Sequence, residues 1–231
     1  MLSCWYRYTD TSIAARNGGC FPASATVQLD SGETRNMADL SVGERVLTVH
    51  DDGSLHYDDV IAFIHRQPQL MTSFSVITTA DGYQLVATGD HLIFTSADQS
   101  ASFAGGAPPT FVSHLQLGND SVYVTAPGSK HLGVSLVTNV NMATGRGVFA
   151  PVTSSGTIVV DGVVASCYAL VSSHRLAHFV MAPLRLSAGT CSWWNCYDDT
   201  LTPLDGVHWY AHFMRRLAES IFLDSQLLFA R

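Results

Sequence analysis

Two cysteines, two histidines and a threonine are the residues of this chain whose types could carry chemistry. Cys20 follows two glycines, His65 ends a predicted strand, Thr88 and His91 form a Thr-x-x-His motif at the end of another strand, and Cys167 lies in a late strand. A thiol and an imidazole that are distant in sequence can form a nucleophile–base pair in the folded chain. A cysteine and two histidines can equally bind zinc, so the residue types leave both chemistries open.

The two glycines before Cys20 favour covalent chemistry. Gly18 and Gly19 have no Cβ, so the backbone there can adopt close or strained conformations. That freedom suits a peptide bond whose carbonyl, at Gly19, is attacked by the thiol of the next residue. Because this attack is intramolecular, proximity can lower the barrier by up to about 7–11 kcal/mol at ideal geometry. The product is a thioester, which is less stable than the amide and therefore needs an acceptor.

The stretch from about Cys20 to Leu186 has the pattern of an all-β domain. Short runs rich in Val, Ile, Thr, Phe and Tyr recur between Gly, Pro, Asp and Ser breaks, and no helical period is sustained. The runs that predict strands are Thr26–Leu29, Arg45–Val49, Val60–Phe63, Phe74–Thr78, Gln84–Ala87, Leu92–Thr95, Ser121–Thr125, Val134–Val140, Thr157–Val160 and Ser166–Val171.

An internal repeat predicts that this domain has two related halves. The segments Leu40–Leu47 and Leu115–Tyr123 both read Leu, any residue, an apolar residue and Gly, followed by polar residues and a Val-led strand. Some 17 to 19 residues after its glycine, each is followed by another apolar run, at Val60–Phe63 and at Val137–Val140. Similarity this short also arises by coincidence among short strands.

The composition limits the function classes. Of the 231 residues, 47% are hydrophobic and only 13% are charged, against about 25% charged in typical domains, which excludes a disordered chain. Lys and Arg number 12 against 19 Asp and Glu, so 12 − 19 = −7, which excludes a basic nucleic-acid binder. So few charges on so apolar a chain indicate a surface that contacts lipid or is partly covered.

The sequence has no strong signal for a transmembrane helix, a signal peptide or a set of paired disulfides. The chain has no run of about 18 apolar residues, so we expect no transmembrane helix. Met1–Tyr6 has no apolar core of a signal peptide, so we expect the secretory signal to be missing from this chain. Five cysteines are an odd number, which leaves at least one thiol free or paired outside the chain.

The tail has a different pattern. Thr190–Asp199 predicts a loop that holds two cysteines and two tryptophans. After Pro203 and Asp205, a candidate N-cap, the spacing predicts an amphipathic helix. Its apolar stripe consists of Tyr210, Phe213, Met214, Leu217, Ile221 and Leu228. Such a stripe is typical either of a helix packed on the domain or of one at a membrane interface.

Six motifs of the middle region, with two in the tail, give the chain a family resemblance. They are Gly19–Ala23, Leu40–Leu47, Thr88–Leu92, Ala150–Thr153, Gly156–Val160 and Ala165–Ala169, with Gly206–Tyr210 and Leu223–Ser225 in the tail. In this order and number, the motifs resemble the C-terminal autoprocessing domain of hedgehog proteins. The resemblance implies an all-β Hint (hedgehog/intein) fold, a pseudo-twofold β module, with a C-terminal loop-plus-helix appendage. It also implies three parts: a remnant of the signalling domain at 1–19, the Hint domain at 20–177 and a sterol-recognition region at 178–231.

The resemblance implies self-cleavage between Gly19 and Cys20, with the hydroxyl of cholesterol as the acceptor. Cys20 would be the nucleophile, His91 would hydrogen-bond the scissile nitrogen and protonate the departing amine, and Thr88 would hold that amide in a distorted geometry. Cys167 would lie near the site, where it could influence the thioester or form a disulfide with Cys20. The sterol contacts would come from Trp209, Tyr210, Phe213 and Leu217. No metal is expected, and no cofactor other than cholesterol as acceptor substrate.

Two residues depart from the family pattern. His65, in the run Phe63–Arg66, stands where the family has an aspartate that activates the sterol hydroxyl. Its unperturbed pKa of about 6.5 lets a histidine accept a proton near neutral pH, so we expect His65 to be a substitute general base. Loss of sterol transfer is the alternative. Asp161 stands at a predicted turn where the family usually has asparagine.

Other functions fit some of the same residues. An intein would share the fold and the first step, but splicing needs a His-Asn pair, which this chain lacks. A structural zinc module would use Cys20, His65 and His91 as ligands. A degraded paralogue would form the thioester but release it to water or a thiol. For the precursor, the resemblance implies the secretory pathway through the endoplasmic reticulum and Golgi, then secretion or the cell surface, with a signalling domain in cis and a tail that contacts a membrane surface.

Overall fold

A computed structural model describes residues 19–98, 102–103, 107, 109–168, 182 and 206–207, and this part of the chain is almost entirely β-structure. Its strands are β1 (Thr26–Gln28), β2 (Thr34–Asn36), β3 (Arg45–Val49), β4 (Leu55–Thr79), β5 (Gln84–Ala87), β6 (Leu92–Ser96), β7 (Pro109–Phe111), β8 (Ser121–Val124), β9 (Gly133–Thr153), β10 (Thr157–Val160), β11 (Val163–Ser166) and β12 (Gly206–Val207). The strands β1 and β2 form a hairpin, and the other ten form one sheet. Seven of the ten follow the path β10-β11-β6-β8-β9-β4-β12, while β3 and β5 pair with β4 and β7 pairs with β6. The all-β prediction is therefore confirmed. The predicted loop and helix of the tail lie outside the described residues, within which no helix is long and apolar enough to cross a membrane.

Two long strands form the spine of the sheet. β4 has 25 residues and β9 has 21, and they pair antiparallel along most of their length. The two short strands predicted within 60–78 are thus parts of one strand. Within the polar stretch between them, β4 pairs with β9 up to Gln67 and again from Met71. A register shift separates these two paired parts, at the position of Pro68, which has no N–H to donate. The prediction that His65 ends a strand is wrong for the same reason, because His65 lies inside β4.

The predicted repeat is present in the hydrogen bonding of the two halves. The amide N–H of Gly43 donates to the carbonyl of Val60 at 2.8 Å, and that of Gly118 donates to the carbonyl of Val137 at 3.0 Å. Each valine donates its own N–H, at 2.9 Å, to a carbonyl one or two residues after the glycine. Both Leu-x-x-Gly segments are therefore tied in the same way to one spine strand each, as a pseudo-twofold module requires.

The core fixes the chain immediately after Cys20. Phe21 is buried, its N–H donates to the carbonyl of Phe149 at 2.8 Å, and the N–H of Phe149 donates back at 2.9 Å. Gly147 allows this close approach. It has a φ of +81°, and a Cβ there would lie 2.6 Å from the ring of Phe149 and 2.8 Å from the Cβ of Ala23. The position of Cys20 is thereby set by residues more than a hundred positions away in the sequence.

Asp161, the second departure from the family pattern, has a defined structural role. It lies in the turn between β10 and β11 with a φ of 52°, which short polar side chains tolerate better than most. Its carboxylate accepts hydrogen bonds from the backbone N–H of Thr26 at 2.8 Å and from the Thr26 hydroxyl at 2.7 Å. Burial raises the pKa of Asp161, although the two bonds from Thr26 act in the opposite direction.

Candidate active site

The Thr-x-x-His segment is hydrogen-bonded to the backbone of Cys20. Thr88 directly follows β5, and its side-chain oxygen accepts a hydrogen bond from the N–H of Cys20 at 3.0 Å. The N–H of Thr88 in turn donates to the carbonyl of Cys20 at 3.0 Å, and His91 donates its N–H to the carbonyl of Thr88 at the same distance. The Gly19–Cys20 peptide is thus held by a tight turn, and both residues are buried.

The thiol of Cys20 lies against His65. The distance from Cys20 Sγ to His65 Nδ1 is 3.6 Å, which is within hydrogen-bonding range for sulfur, and both side chains are buried. Burial raises the pKa of the Cys20 thiol far above its ordinary value, so the thiol is protonated at neutral pH. A reaction of this sulfur as a nucleophile therefore needs a base, and an imidazole nitrogen is in place to accept its proton.

A glutamine contacts the other side of the His65 ring. His65 Nε2 lies 2.9 Å from Gln67 Oε1. Residues two apart on a strand share a face, so the position of Gln67 on β4 explains the contact. Sequence reasoning missed Gln67 because His65 was assigned to a strand end, beyond which this alternation does not apply.

His91 is a neutral, enclosed imidazole. It is 1% exposed and packs on the ring of Phe21, with 4.2 Å between the ring centres. Burial lowers the pKa of His91 from 6.5 to about 4, while backbone groups of Gly19 and Ser166 act in the opposite direction. Neither ring nitrogen completes a hydrogen bond of ordinary geometry with the described residues. A buried imidazole without such partners can form a hydrogen bond with a polar group that appears during a reaction.

Cys167 is held by a threonine. It was predicted inside a strand, but β11 ends one residue earlier, at Ser166. Its Sγ lies 3.5 Å from Thr153 Oγ1, and burial raises the pKa of this thiol to about 11, with the Thr153 bonds acting in the opposite direction. Cys20 and Cys167 are both free thiols. That Cys167 lies near the site, where it could influence the thioester or form a disulfide with Cys20, was predicted from the resemblance alone and stays a prediction.

The tail contributes one described element to this region. β12 pairs antiparallel with β4, with Gly206 opposite Arg66 and Val207 opposite His65. The predicted sterol contacts Trp209, Tyr210, Phe213 and Leu217 follow this strand in the sequence and lie outside the described residues.

The zinc alternative finds no support among the described residues. No group of three or more His, Cys, Asp or Glu side chains in this part of the chain is arranged to hold a metal ion. Cys20 and His65 are in contact, and His91 packs on the ring of Phe21.

Comparisons with known proteins agree with this architecture. The family model described as the Hint module matches residues 8–223. The chain is 37% identical over 208 residues to the Tiggy-winkle hedgehog protein of Danio rerio, covering 89% of this chain and 49% of that protein. It is 37% identical over 214 residues to the Indian hedgehog protein of Gallus gallus, covering 92% and 50%. The chain therefore spans about half the length of the curated relatives it matches.

Solved structures support the fold alone. A DnaB intein from Synechocystis matches with a TM-score of 0.52 at 12% identity, covering 64% of this chain and 97% of that chain. The TvoVMA intein matches with a TM-score of 0.50 at 13% identity, covering 64% and 96%.

Proposed function

Because the chain belongs to the Hint module family, we propose that it is the autoprocessing domain of a hedgehog-type precursor and cleaves its own Gly19–Cys20 bond in a single turnover. The observation that carries this proposal is the arrangement around Cys20. Its amide N–H donates to Thr88 at 3.0 Å, and its thiol lies 3.6 Å from a base, His65. The scissile amide and the attacking sulfur are therefore oriented by separate side chains.

The first step is an acyl shift from nitrogen to sulfur. Cys20 Sγ attacks the carbonyl carbon of Gly19, the bond from that carbon to the Cys20 nitrogen breaks, and a thioester forms. The thiol proton passes through His65 and ends on the freed Cys20 nitrogen, so no proton is gained or lost overall. Thr88 orients the scissile N–H, and the buried ring of His91, near the Gly19 backbone, stabilises the departing nitrogen by hydrogen bonding.

The second step transfers the acyl group to an alcohol, for which we propose the hydroxyl of cholesterol. His65 adjoins the sulfur that carries the acyl group, which is the position a general base for the incoming hydroxyl would need. The register of β12 supports delivery of the acceptor by the tail, because Val207 pairs with His65 and the predicted contacts Trp209 and Tyr210 follow within three residues. The released fragment would carry a cholesteryl ester at Gly19.

The test is cleavage of this chain with a reporter protein fused before residue 1. Dithiothreitol or solubilised cholesterol is added, and the mass of the released fragment is measured. We expect a thiol adduct with the first and a sterol adduct with the second, and no release from the Cys20→Ala variant. Release with dithiothreitol but only a bare acid with cholesterol would exclude sterol transfer and indicate a degraded paralogue. No release under either condition would refute autoprocessing.

The role of the tail is tested at Val207. Proline lacks the N–H and disfavours a paired strand, so Val207→Pro should weaken the pairing of β12 with β4. We expect this variant to lose cholesterol-dependent release and keep dithiothreitol-dependent release. Val207→Ile is the matched control and should keep both. Equal cholesterol-dependent rates for the proline and isoleucine variants would contradict delivery by this strand.

The same proposal sets the cellular context. A hedgehog-type precursor would carry a signalling domain before residue 20 in cis and would pass through the secretory pathway. The apolar tail would then contact the membrane that supplies the sterol. Cell fractionation of a full-length precursor, with the fragment followed by an antibody, tests this placement.

A further inference from the structure

Gln67 contacts the His65 ring through the nitrogen that does not face Cys20. Its Oε1 lies 2.9 Å from Nε2, while the opposite ring nitrogen, Nδ1, lies 3.6 Å from Cys20 Sγ. His65 is 4% exposed and lies inside the continuous strand β4, so its side chain is enclosed. The atom that Gln67 presents to Nε2 therefore favours one tautomer of His65 over the other.

An amide oxygen is a hydrogen-bond acceptor only, so it favours a proton on the nitrogen that faces it. With the proton on Nε2, the neutral imidazole has its lone pair on Nδ1, directed at the thiol. With the proton on Nδ1, the ring would present a donor to a thiol that must itself lose a proton. Only the first tautomer can act as a base toward Cys20.

We propose that Gln67 is a positioning residue that holds His65 in the Nε2-protonated tautomer, so that Cys20, His65 and Gln67 form a thiol–imidazole–amide relay. The inference rests on the proposed autoprocessing and deepens its first step. The proton passes from Cys20 Sγ to His65 Nδ1 as sulfur bonds to the Gly19 carbonyl carbon. As the carbon–nitrogen bond breaks, the His65 imidazolium returns that proton to the Cys20 nitrogen. Gln67 exchanges no proton and stays neutral throughout.

The neutrality of Gln67 gives the relay a measurable signature. A carboxylate at this position would still accept the Nε2 proton, but its charge would stabilise the imidazolium and raise the pKa of His65, typically by about one unit or more at this distance. Gln67→Glu should therefore move the acid limb of the pH–rate profile to higher pH by about one unit. Gln67→Met keeps the length of the side chain but has no oxygen, so it should slow the acyl shift at least about tenfold. That loss is part of the rate acceleration that a general base typically contributes.

The rate is measured as release of the fused reporter at dithiothreitol concentrations high enough that the rate no longer depends on the thiol. Gln69→Met is the matched control, because it makes the same change two residues further along β4, where the amide contacts Arg146. The same substitutions are also made in a His65→Gln background. There we expect Gln67→Met to have no further effect, since a positioning residue acts only through the residue it positions.

A spectroscopic readout is independent of activity. In the uncleavable Cys20→Ala chain, nitrogen chemical shifts of His65 should show Nε2 protonated, and Gln67→Met should reduce that preference. The relay is refuted if Gln67→Met releases reporter at the rate of Gln69→Met, if its effect persists without His65, or if Nδ1 carries the proton in the native sequence. Failure of the native chain to release any reporter would refute the proposed function instead, so the two failures are distinguishable.

Discussion

The buried imidazole of His91 should make the stability of this domain depend on pH in a specific window. Burial lowers its pKa from 6.5 to about 4, so below pH 6.5 the unfolded chain takes up a proton at this position that the folded chain does not. The folded state therefore loses stability as the pH falls from 6.5 toward 4. Each unit in this window costs about 1.4 kcal/mol, and about 1.5 units lie between 6.5 and pH 5, so the loss at pH 5 is about 2 kcal/mol.

The measurement is urea denaturation of the Cys20→Ala chain at pH 7 and pH 5, with and without His91→Gln. Glutamine does not titrate, and every other histidine is present in both chains, so their contributions cancel in the comparison. We expect the free energy of unfolding to fall about 2 kcal/mol further in the chain that keeps His91. Equal losses in the two chains would refute the reasoning. If His91→Gln does not fold, an NMR titration decides the question, because the His91 ring signals should not shift between pH 7 and pH 5.

Three further substitutions test other contacts. Thr88→Val leaves the buried N–H of Cys20 without its acceptor, so dithiothreitol-dependent release should slow at least about tenfold and the domain should lose about 1–3 kcal/mol of stability. Thr88→Ser should keep most of the rate and of the stability. A valine variant as fast as the serine variant would contradict a role for Thr88 in orienting the Gly19–Cys20 amide. Gly147→Ala should lower the free energy of unfolding in urea by about 3 kcal/mol, because the backbone there is left-handed and the new methyl group would clash with the ring of Phe149. Gly32→Ala is the control, with a φ of +86° and nothing within 4 Å, and should cost only about 1–2 kcal/mol. Equal losses in the two variants would contradict the clash. Asp161→Asn should raise the Tm at pH 7, because the raised pKa of Asp161 means that folding disfavours its charged form. The gain in Tm should shrink as the pH falls toward 3.8, the ordinary pKa of an aspartate. A gain that grows on acidification would contradict this direction of the pKa shift.

The fold class could be predicted because its signals are local. Short β-branched runs and turn residues indicate strands wherever they occur, and Arg45–Val49, Gln84–Ala87 and Thr157–Val160 have the predicted bounds. The length of β4 could not be predicted in this way. Its middle is polar, and it stays extended because it pairs with β9, whose partner residues there lie about 70 to 85 positions away in the sequence.

The candidate site shows the same division between local and distant signals. Cys20 and the Thr-x-x-His motif could be singled out from their neighbours in the sequence. The contact between Cys20 and His65 depends on the register of the sheet, and the contact of Gln67 depends on His65 lying inside a strand. The shift of the His91 pKa depends on burial under Phe21, which no spacing reveals.

The bond from Phe21 to Phe149 also determines when the site can exist. A ribosome makes Cys20 before it makes β9, which anchors the next residue and emerges only after most of the domain has been made. Contacts between such distant segments form late in folding, because the loop between them must first be closed. The anchored geometry around Cys20 is therefore absent from a nascent or truncated chain. A precursor of this design would release its N-terminal fragment only after the C-terminal half had been synthesised and folded, which couples the output of the reaction to the integrity of the chain.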